Sequence, residues 1–280
     1  MKIFQPIDQP DMIPIFYEKT GIKLNVLISY PYLGRSAEKL MRTYRHMINL
    51  LYCDSGGYSA HASGLKVTVW EWLRYLRAYG DEFDERFNLD DHFQDWERNL
   101  QNQLILERGL SDKPWRVVPV THNTRDPFGE FSMYADMGHS FIAMGSNQRS
   151  IKDEVFQKIR DTYPQVKIHM FGNLNRKMLL QYRPYSADST GYADEAKFGR
   201  INYWDPLENK AYRIRLGARE KPDINEFHFK TFNRRKEVEE FLKKTFGYSY
   251  YHLLTDVYAR WFVNLYFYKQ LEDYINANSR

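Results

Sequence analysis

Short apolar runs alternate with longer stretches of helical periodicity along most of this chain. Lys23–Tyr30 is apolar and ends at Pro31, which reads as a buried strand. Arg35–Met47 follows with helical spacing and Ser36 as an N-cap. Met47–Tyr52 is a second apolar run that leads into Asp54 and a double glycine. Thr68–Tyr79 is amphipathic, with Val69, Trp72, Leu73 and Leu76 on one face. A short strand over Glu85–Asp90, a helix over Phe93–Arg108 and a strand over Trp115–His122 come next, then a short helix or loop around Phe131–Asp136. Ser140–Gly145, Val166–Gly172 and Tyr185–Asp188 read as three more strands, separated by helices over Ile151–Tyr163 and Asn175–Gln181. Residues 1–22 carry Pro6, Pro10 and Pro14 and read as an irregular entry.

Strand followed by helix, repeated, is the pattern of a parallel α/β fold. The strand tips carry Asp, Gly or His at several successive positions. That favours a (β/α)8 TIM barrel, whose site is built from many strand ends, over an open sheet with one switch point. No GxGxxG follows a first strand and there is no P-loop. The eighth strand is left open: Arg200–Trp204 and Ala211–Leu216 both alternate and read as a hairpin before or at barrel closure. From Arg234 the chain is helical to about residue 276, a C-terminal helical extension rich in aromatics. With no repeat, low-complexity segment or linker, residues 1–280 read as one domain, the barrel over about 23–230 and the helices over about 234–276.

Composition changes this picture in three ways. Aromatic residues make up 16%, enough to build a core and still serve ligand stacking. The net charge of +4 permits nucleic-acid binding without requiring it. One cysteine excludes an intrachain disulfide and a cysteine-rich zinc cluster, and no metal or cofactor is expected. The N-terminus lacks the apolar stretch of a signal peptide and no run is long enough to span a bilayer, so a cytoplasmic location is expected.

The candidate chemistry centres on Asp54 and Asp188, two carboxylates at strand tips. Asp54 reads either as a pocket acid facing Asp188 or as a turn acid accepting N–H groups of the glycine loop. Asp188 reads either as a pocket acid facing Asp54 or as a cap for a helix beginning near Ser189. Asp90, the acid that ends a short strand, reads either as a strand-tip pocket residue or as the cap of the Phe93 helix. His122 and Asn123 lie beyond a strand tip, as pocket residues or as a loop polar pair. His169 reads as a satisfied strand histidine. Arg234-Arg235-Lys236 and Lys243-Lys244 read as phosphate contacts or as a solvated helix face.

Asp54-Ser55-Gly56-Gly57-Tyr58 resembles the Asp-Ser-Gly-Gly-aromatic motif of tRNA-guanine transglycosylases (queuine tRNA-ribosyltransferases). Phe141–Gly145, His169–Gly172 and Ser186–Thr190 resemble later motifs of that superfamily in the same order, the last especially as it appears in phage and bacterial DNA-guanine transglycosylases. The similarity covers roughly residues 24–195. It implies a TIM barrel that exchanges guanine for a 7-deazaguanine such as preQ0 in a polynucleotide. It implies Asp188 as nucleophile, Asp54 as general acid/base, and Asp90 as reader of the base edge, with Gly145 offering backbone groups. Ser55, Gly56, Gly57, Tyr58, His122, Asn123 and Gly172 complete the expected base pocket, and Tyr192 the mouth. The sole cysteine, Cys53, lies upstream of the region where the tRNA enzymes hold a structural zinc, and Thr121-His122-Asn123 stands where they carry glutamine-glycine. These departures favour DNA over tRNA as polymer and a compact, zinc-free relative. The expected partners are therefore DNA or tRNA and a free 7-deazaguanine base, with a protein partner or a second copy left open. Two alternatives remain from other classes: a non-catalytic nucleic-acid-binding subunit with the same barrel, and a glycosylase acting on free nucleosides.

Overall fold

The computed structural model describes residues 1–30, 37–57, 66–91, 95–148, 151, 153–217 and 226–278. They group into two compact units, Met1–Asp11 with Leu24–Ser189, and Met12–Lys23 with Thr190–Arg280.

The first unit is an α/β barrel. Its strands are β1 (Lys2–Pro6), β2 (Leu24–Ser29), β3 (Ile48–Asp54), β4 (Glu85–Arg86), β5 (Val120–Thr121), β6 (Phe141–Met144), β7 (Lys167–Met170) and β8 (Ser186–Asp188). Their order in the sheet is β4-β3-β2-β1-β8-β7-β6-β5, every neighbouring pair parallel. The sheet curls until its edges meet: Phe87, just past β4, bridges Val118, just before β5. The Asn88 N–H donates to the Val118 carbonyl and the Val118 N–H to the Arg86 carbonyl. That closure removes both free edges.

The eighth strand is the entry segment. Lys2–Pro6, expected to be irregular, pairs with β2 on one side and β8 on the other. Two apolar residues give no usable period, and Pro6 fits because it is the last residue of the strand, where its missing N–H costs little. Arg200–Trp204 and Ala211–Leu216 do form a hairpin, but it belongs to the second unit and closes no barrel.

Side chains alternate in and out along each strand. The inward set fills the barrel with Phe4, Leu27, Tyr52, Phe87, Val118, Val120, Phe141 and Ala143. Phe4 stacks on Tyr52 at 3.8 Å, and the His169 ring sits among Phe4, Tyr52, Phe87 and Phe171. The middle of the barrel is therefore solid, and ligand chemistry is confined to its ends.

The helices of this unit are α2 (Val69–Tyr79), α3 (Trp96–Gly109), α4 (Pro127–Asp136), α5 (Asp153–Thr162) and α6 (Arg176–Tyr182), after α1 (Met12–Thr20) of the second unit. Thr68 and Glu71 form a capping box on α2, and Asp95 caps α3 through the Arg98 N–H. Helix α4 begins with Asp126 as cap and Pro127 in its first turn.

In the second unit, β9 (Arg200–Asp205) and β10 (Lys210–Arg215) pair antiparallel, and β11 (Glu226–His228) lies parallel to β10. Around them are α7 (Gly191–Lys197), α8 (Arg235–Phe246), α9 (Tyr250–Thr255) and α10 (Val257–Ala277). The helical stretch expected from Arg234 onward breaks at Gly247, which ends α8, and at Asp256, which caps α10. Asn264 of α10 accepts the Asn202 N–H and donates to the Tyr192 carbonyl, tying α10 to β9 and α7. No helix among the described residues is long and apolar enough to cross a membrane.

Candidate functional site

Period-two alternation puts Ser29, Asp54, His122, Gly145, Phe171 and Asp188 on the inward face at the C-terminal ends of β2, β3, β5, β6, β7 and β8. Asp90 joins them from the loop after β4. This is the end at which TIM barrels assemble their sites.

Asp54 ends β3 and is half-buried. Its Oδ2 accepts the Gly56 N–H at 3.2 Å and the Ser29 hydroxyl at 3.4 Å. Gly56 holds φ +75°, which a side chain would resist, so the tight turn that returns this N–H to Asp54 needs glycine. The turn-acid role expected for Asp54 is thus present, but it does not dominate the electrostatics. Burial pushes the Asp54 carboxyl up to about 8, and the negative charges of Asp90 and Asp188 add to that rise against the two hydrogen bonds. At neutral pH Asp54 therefore holds a proton.

Asp90 is buried and does not cap a helix. Its Oδ1 accepts the Ser55 hydroxyl at 3.1 Å and its Oδ2 lies 2.8 Å from His122 Nε2. Its loop is held from behind by an unusual helix face. On α3 the buried residues include Asn99, Asn102 and Gln103. Asn102 Nδ2 donates to the Leu89 carbonyl at 3.0 Å, Asn88 Nδ2 to the Asn99 carbonyl at 2.9 Å, and Gln103 Nε2 to the Val117 carbonyl at 3.0 Å. Trp72 of α2 adds an indole N–H to the Phe87 carbonyl at 3.1 Å. Buried amides here satisfy the irregular backbone past β4, which has too few strand partners of its own.

His122 is 2% exposed. Its Nδ1 lies 2.7 Å from Asn147 Oδ1. Burial disfavours its charge, but the bond to Asp90, the Asp90 charge, the Asn147 oxygen and the Glu130 charge outweigh burial and hold it above the ordinary imidazole value. Gly145 forms the seat: a Cβ there would stand 2.2 Å from His122 Cε1 and 2.9 Å from the Thr121 carbonyl oxygen. The Gly145 N–H donates to Thr121 and its carbonyl accepts from Gln148, so its backbone groups stabilise the strand tip. Asn123 is a loop residue: its Oδ1 accepts the N–H groups of Arg125 and Asp126. Glu130 of α4 accepts the N–H groups of both His122 and Asn123, at 2.7 and 2.6 Å. Burial raises the Glu130 carboxyl despite these bonds.

Asp188 is buried at the end of β8, and its Oδ1 accepts the Gly172 N–H at 3.0 Å. Gly172 has φ +61°. Asp188 is not a helix cap: α7 starts at Gly191 behind Thr190. His169 Nδ1 shares a hydrogen with Ser186 Oγ at 2.9 Å. Its Nε2 is 3.3 Å from Asp188 Oδ1, within ion-pair reach but not aligned for a hydrogen bond.

No family model and no curated protein matches this chain. Among solved structures, a cube-shaped, highly porous protein cage designed by fusing symmetric oligomeric domains matches at TM-score 0.43 and 12% identity, over 67% of this chain. The chain spans 61% of that one's length. At this level the likeness says nothing about function.

The structure thus brings together Asp54, Ser55, Gly56, Gly57, Asp90, His122, Gly145, Gly172 and Asp188, with Asn123 beside them in the loop. Gly57 packs against Asp90, where a Cβ would come within 3.1 Å of Oδ1. Tyr58 lies outside the described residues. Tyr192 does not line a mouth: it is 2% exposed in the second unit, its ring edge-on to Trp261. In the second unit Arg234 pairs with Asp205 at 2.6 Å, Glu208 at 3.1 Å and Glu237 at 2.9 Å, and Arg235 with Glu239 at 2.8 Å. These cations hold the hairpin turn and α8 together, and Lys236 is exposed beside them. Sequence reading passed over Ser29, Glu130, Asn147 and Gln148. Only Ser29 carried a usable signal, as the inward-facing polar end of an otherwise apolar strand. Among the described residues, no group of three or more His, Cys, Asp or Glu side chains is arranged to hold a metal ion.

Proposed function

We propose that this barrel is a guanine transglycosylase that exchanges guanine for a 7-deazaguanine in a polynucleotide, DNA being favoured. One observation carries the reading. Three carboxylates converge at the C-terminal end of the barrel, and burial, with the negative charges of Asp90 and Asp188 adding to it, keeps one of them, Asp54, protonated at neutral pH. Base exchange needs this division of labour: an acid to give a proton to the departing base and a carboxylate to take the sugar.

In this reading Asp188 attacks the sugar C1′. The new bond is carboxylate oxygen to C1′, and the bond that breaks is C1′ to guanine N9. The electron pair leaves with guanine, which takes its proton from Asp54. The incoming 7-deazaguanine then returns a proton to Asp54 as its ring nitrogen bonds C1′ and displaces the Asp188 carboxylate. Atoms and charge balance over the cycle. The Gly172 N–H on Asp188 Oδ1 orients the nucleophile. Asp90 offers acceptors to the N1–H and 2-amino edge of the base. The aromatic packing below the site fills the barrel interior, so the site faces apolar side chains on that side.

The test is guanine release from labelled duplex DNA, single-stranded DNA and tRNA in the presence of a panel of 7-deazaguanines, with nucleosides analysed by mass spectrometry. Exchange in one polymer, lost together with its covalent adduct in Asp188→Asn, supports the reading. Exchange retained in Asp188→Asn overturns the role of Asp188. Polymer binding without exchange in the wild type favours the binding-subunit alternative.

A further inference from the structure

His122 was expected to touch the base, but both of its ring nitrogens are committed within the protein. Nε2 faces Asp90 Oδ2 at 2.8 Å and Nδ1 faces Asn147 Oδ1 at 2.7 Å. The Asn147 amide is oriented independently, because its Nδ2 donates to the His122 carbonyl at 2.7 Å. An acceptor on each side requires a proton on each ring nitrogen, so the ring is an imidazolium. Its charged neighbours are Asp90, from the loop after β4, and Glu130 of α4, with Asp54 beyond Asp90. The ring lies against Gly145, and its backbone is fixed by Glu130. Asp90 in turn has one oxygen bonded to Ser55 and the other to His122. A carboxylate has about four acceptor positions, so about two remain unfilled by the described residues.

We propose that His122 is a positioning residue: as an imidazolium clamped by Asn147 and seated on Gly145, it fixes Asp90 so that the remaining acceptors of its carboxylate form the edge that selects a 2-aminopurine face. This rests on the transglycosylase reading of the site. It assigns base selectivity to a buried charge pair, with His122 making no contact to the base. A neutral side chain at position 122 can occupy the space but cannot supply the charge that orders Asp90.

The experiment compares wild type with His122→Gln in steady-state exchange, using guanine and hypoxanthine as the incoming free base. Loss of a charge-assisted hydrogen bond to the reading carboxylate should raise the KM for guanine about 10- to 100-fold while kcat changes by less than about threefold. The KM for hypoxanthine, which lacks the 2-amino group, should rise much less, so discrimination between the two bases collapses. Equal KM losses for both bases, or a fall in kcat at constant KM, overturn the proposal while leaving the transglycosylase reading intact. Absence of exchange in the wild type overturns both. If His122→Gln does not fold, nitrogen NMR of the histidines in the wild-type protein decides. Two ring N–H protons on His122 at pH 7 support the clamp, and a neutral ring at pH 6 refutes it.

Discussion

Replacing Asp54 by Asn should make the protein more stable, and by an amount that depends on pH. The Asp54 carboxyl is raised from 3.8 to about 8. The folded state therefore holds a proton that the unfolded state releases between about pH 4 and pH 8, and stability falls as pH rises through that window. A gap of about 4 units at 1.36 kcal/mol each sets a ceiling on the order of 6 kcal/mol. Relaxation around the charge lowers the observable part to about 2–4 kcal/mol. Asparagine removes the charge and keeps an oxygen for the Gly56 N–H. At pH 4 the variant and wild type should melt together. At pH 9 the variant should melt roughly 5–15 °C higher, using about 2–4 °C per kcal/mol for a unit of this size. The assay is thermal denaturation at pH 4, 6, 7.5 and 9, followed by circular dichroism. A variant that is less stable throughout, or whose gain does not grow with pH, refutes a buried carboxyl held protonated at position 54. On the transglycosylase reading the same variant should also lose exchange, since a stabilising change that removes activity is expected where a titratable group is buried for function.

Four other substitutions test parts of the framework. Gly145→Ala should displace the His122 ring and cost about 1–3 kcal/mol in denaturant unfolding, because the new methyl meets both the ring and the Thr121 carbonyl. Wild-type stability in that variant would show that the seat is not tight. Asn102→Leu strands the buried Leu89 carbonyl and should cost about 1–3 kcal/mol, with a raised KM for base because the Asp90 loop loses its anchor. Arg234→Ala should lower the thermal midpoint more than Lys236→Ala, because Arg234 holds the buried Asp205 and Lys236 is a solvated side chain. Equal midpoints would return Arg234 to the role of a free phosphate contact.

The parallel strand-helix alternation was readable from the chain, since β2 and β3 are apolar runs that end in polar tips and α2 has one apolar face. Asp54, Asp90 and Asp188 stood at strand ends in the sequence, and the double glycine after Asp54 already specified a turn with positive φ. The first strand was not readable: Lys2–Pro6 is too short for a period, and it becomes a strand only because β2 and β8 offer it partners on both sides. The polar face of α3 was equally hidden, because buried asparagines look like surface residues until the backbone they satisfy is placed behind them. The role of His122 was the furthest from view. Asp90, Glu130 and the Gly145–Asn147 stretch lie in three separate segments, and only closure of the barrel between Phe87 and Val118 brings them around one ring. Local sequence determined the elements and the residue types at their tips. Tertiary structure decided which tips meet, and with that the charge each side chain carries, because proton affinity depends on neighbours that are distant along the chain.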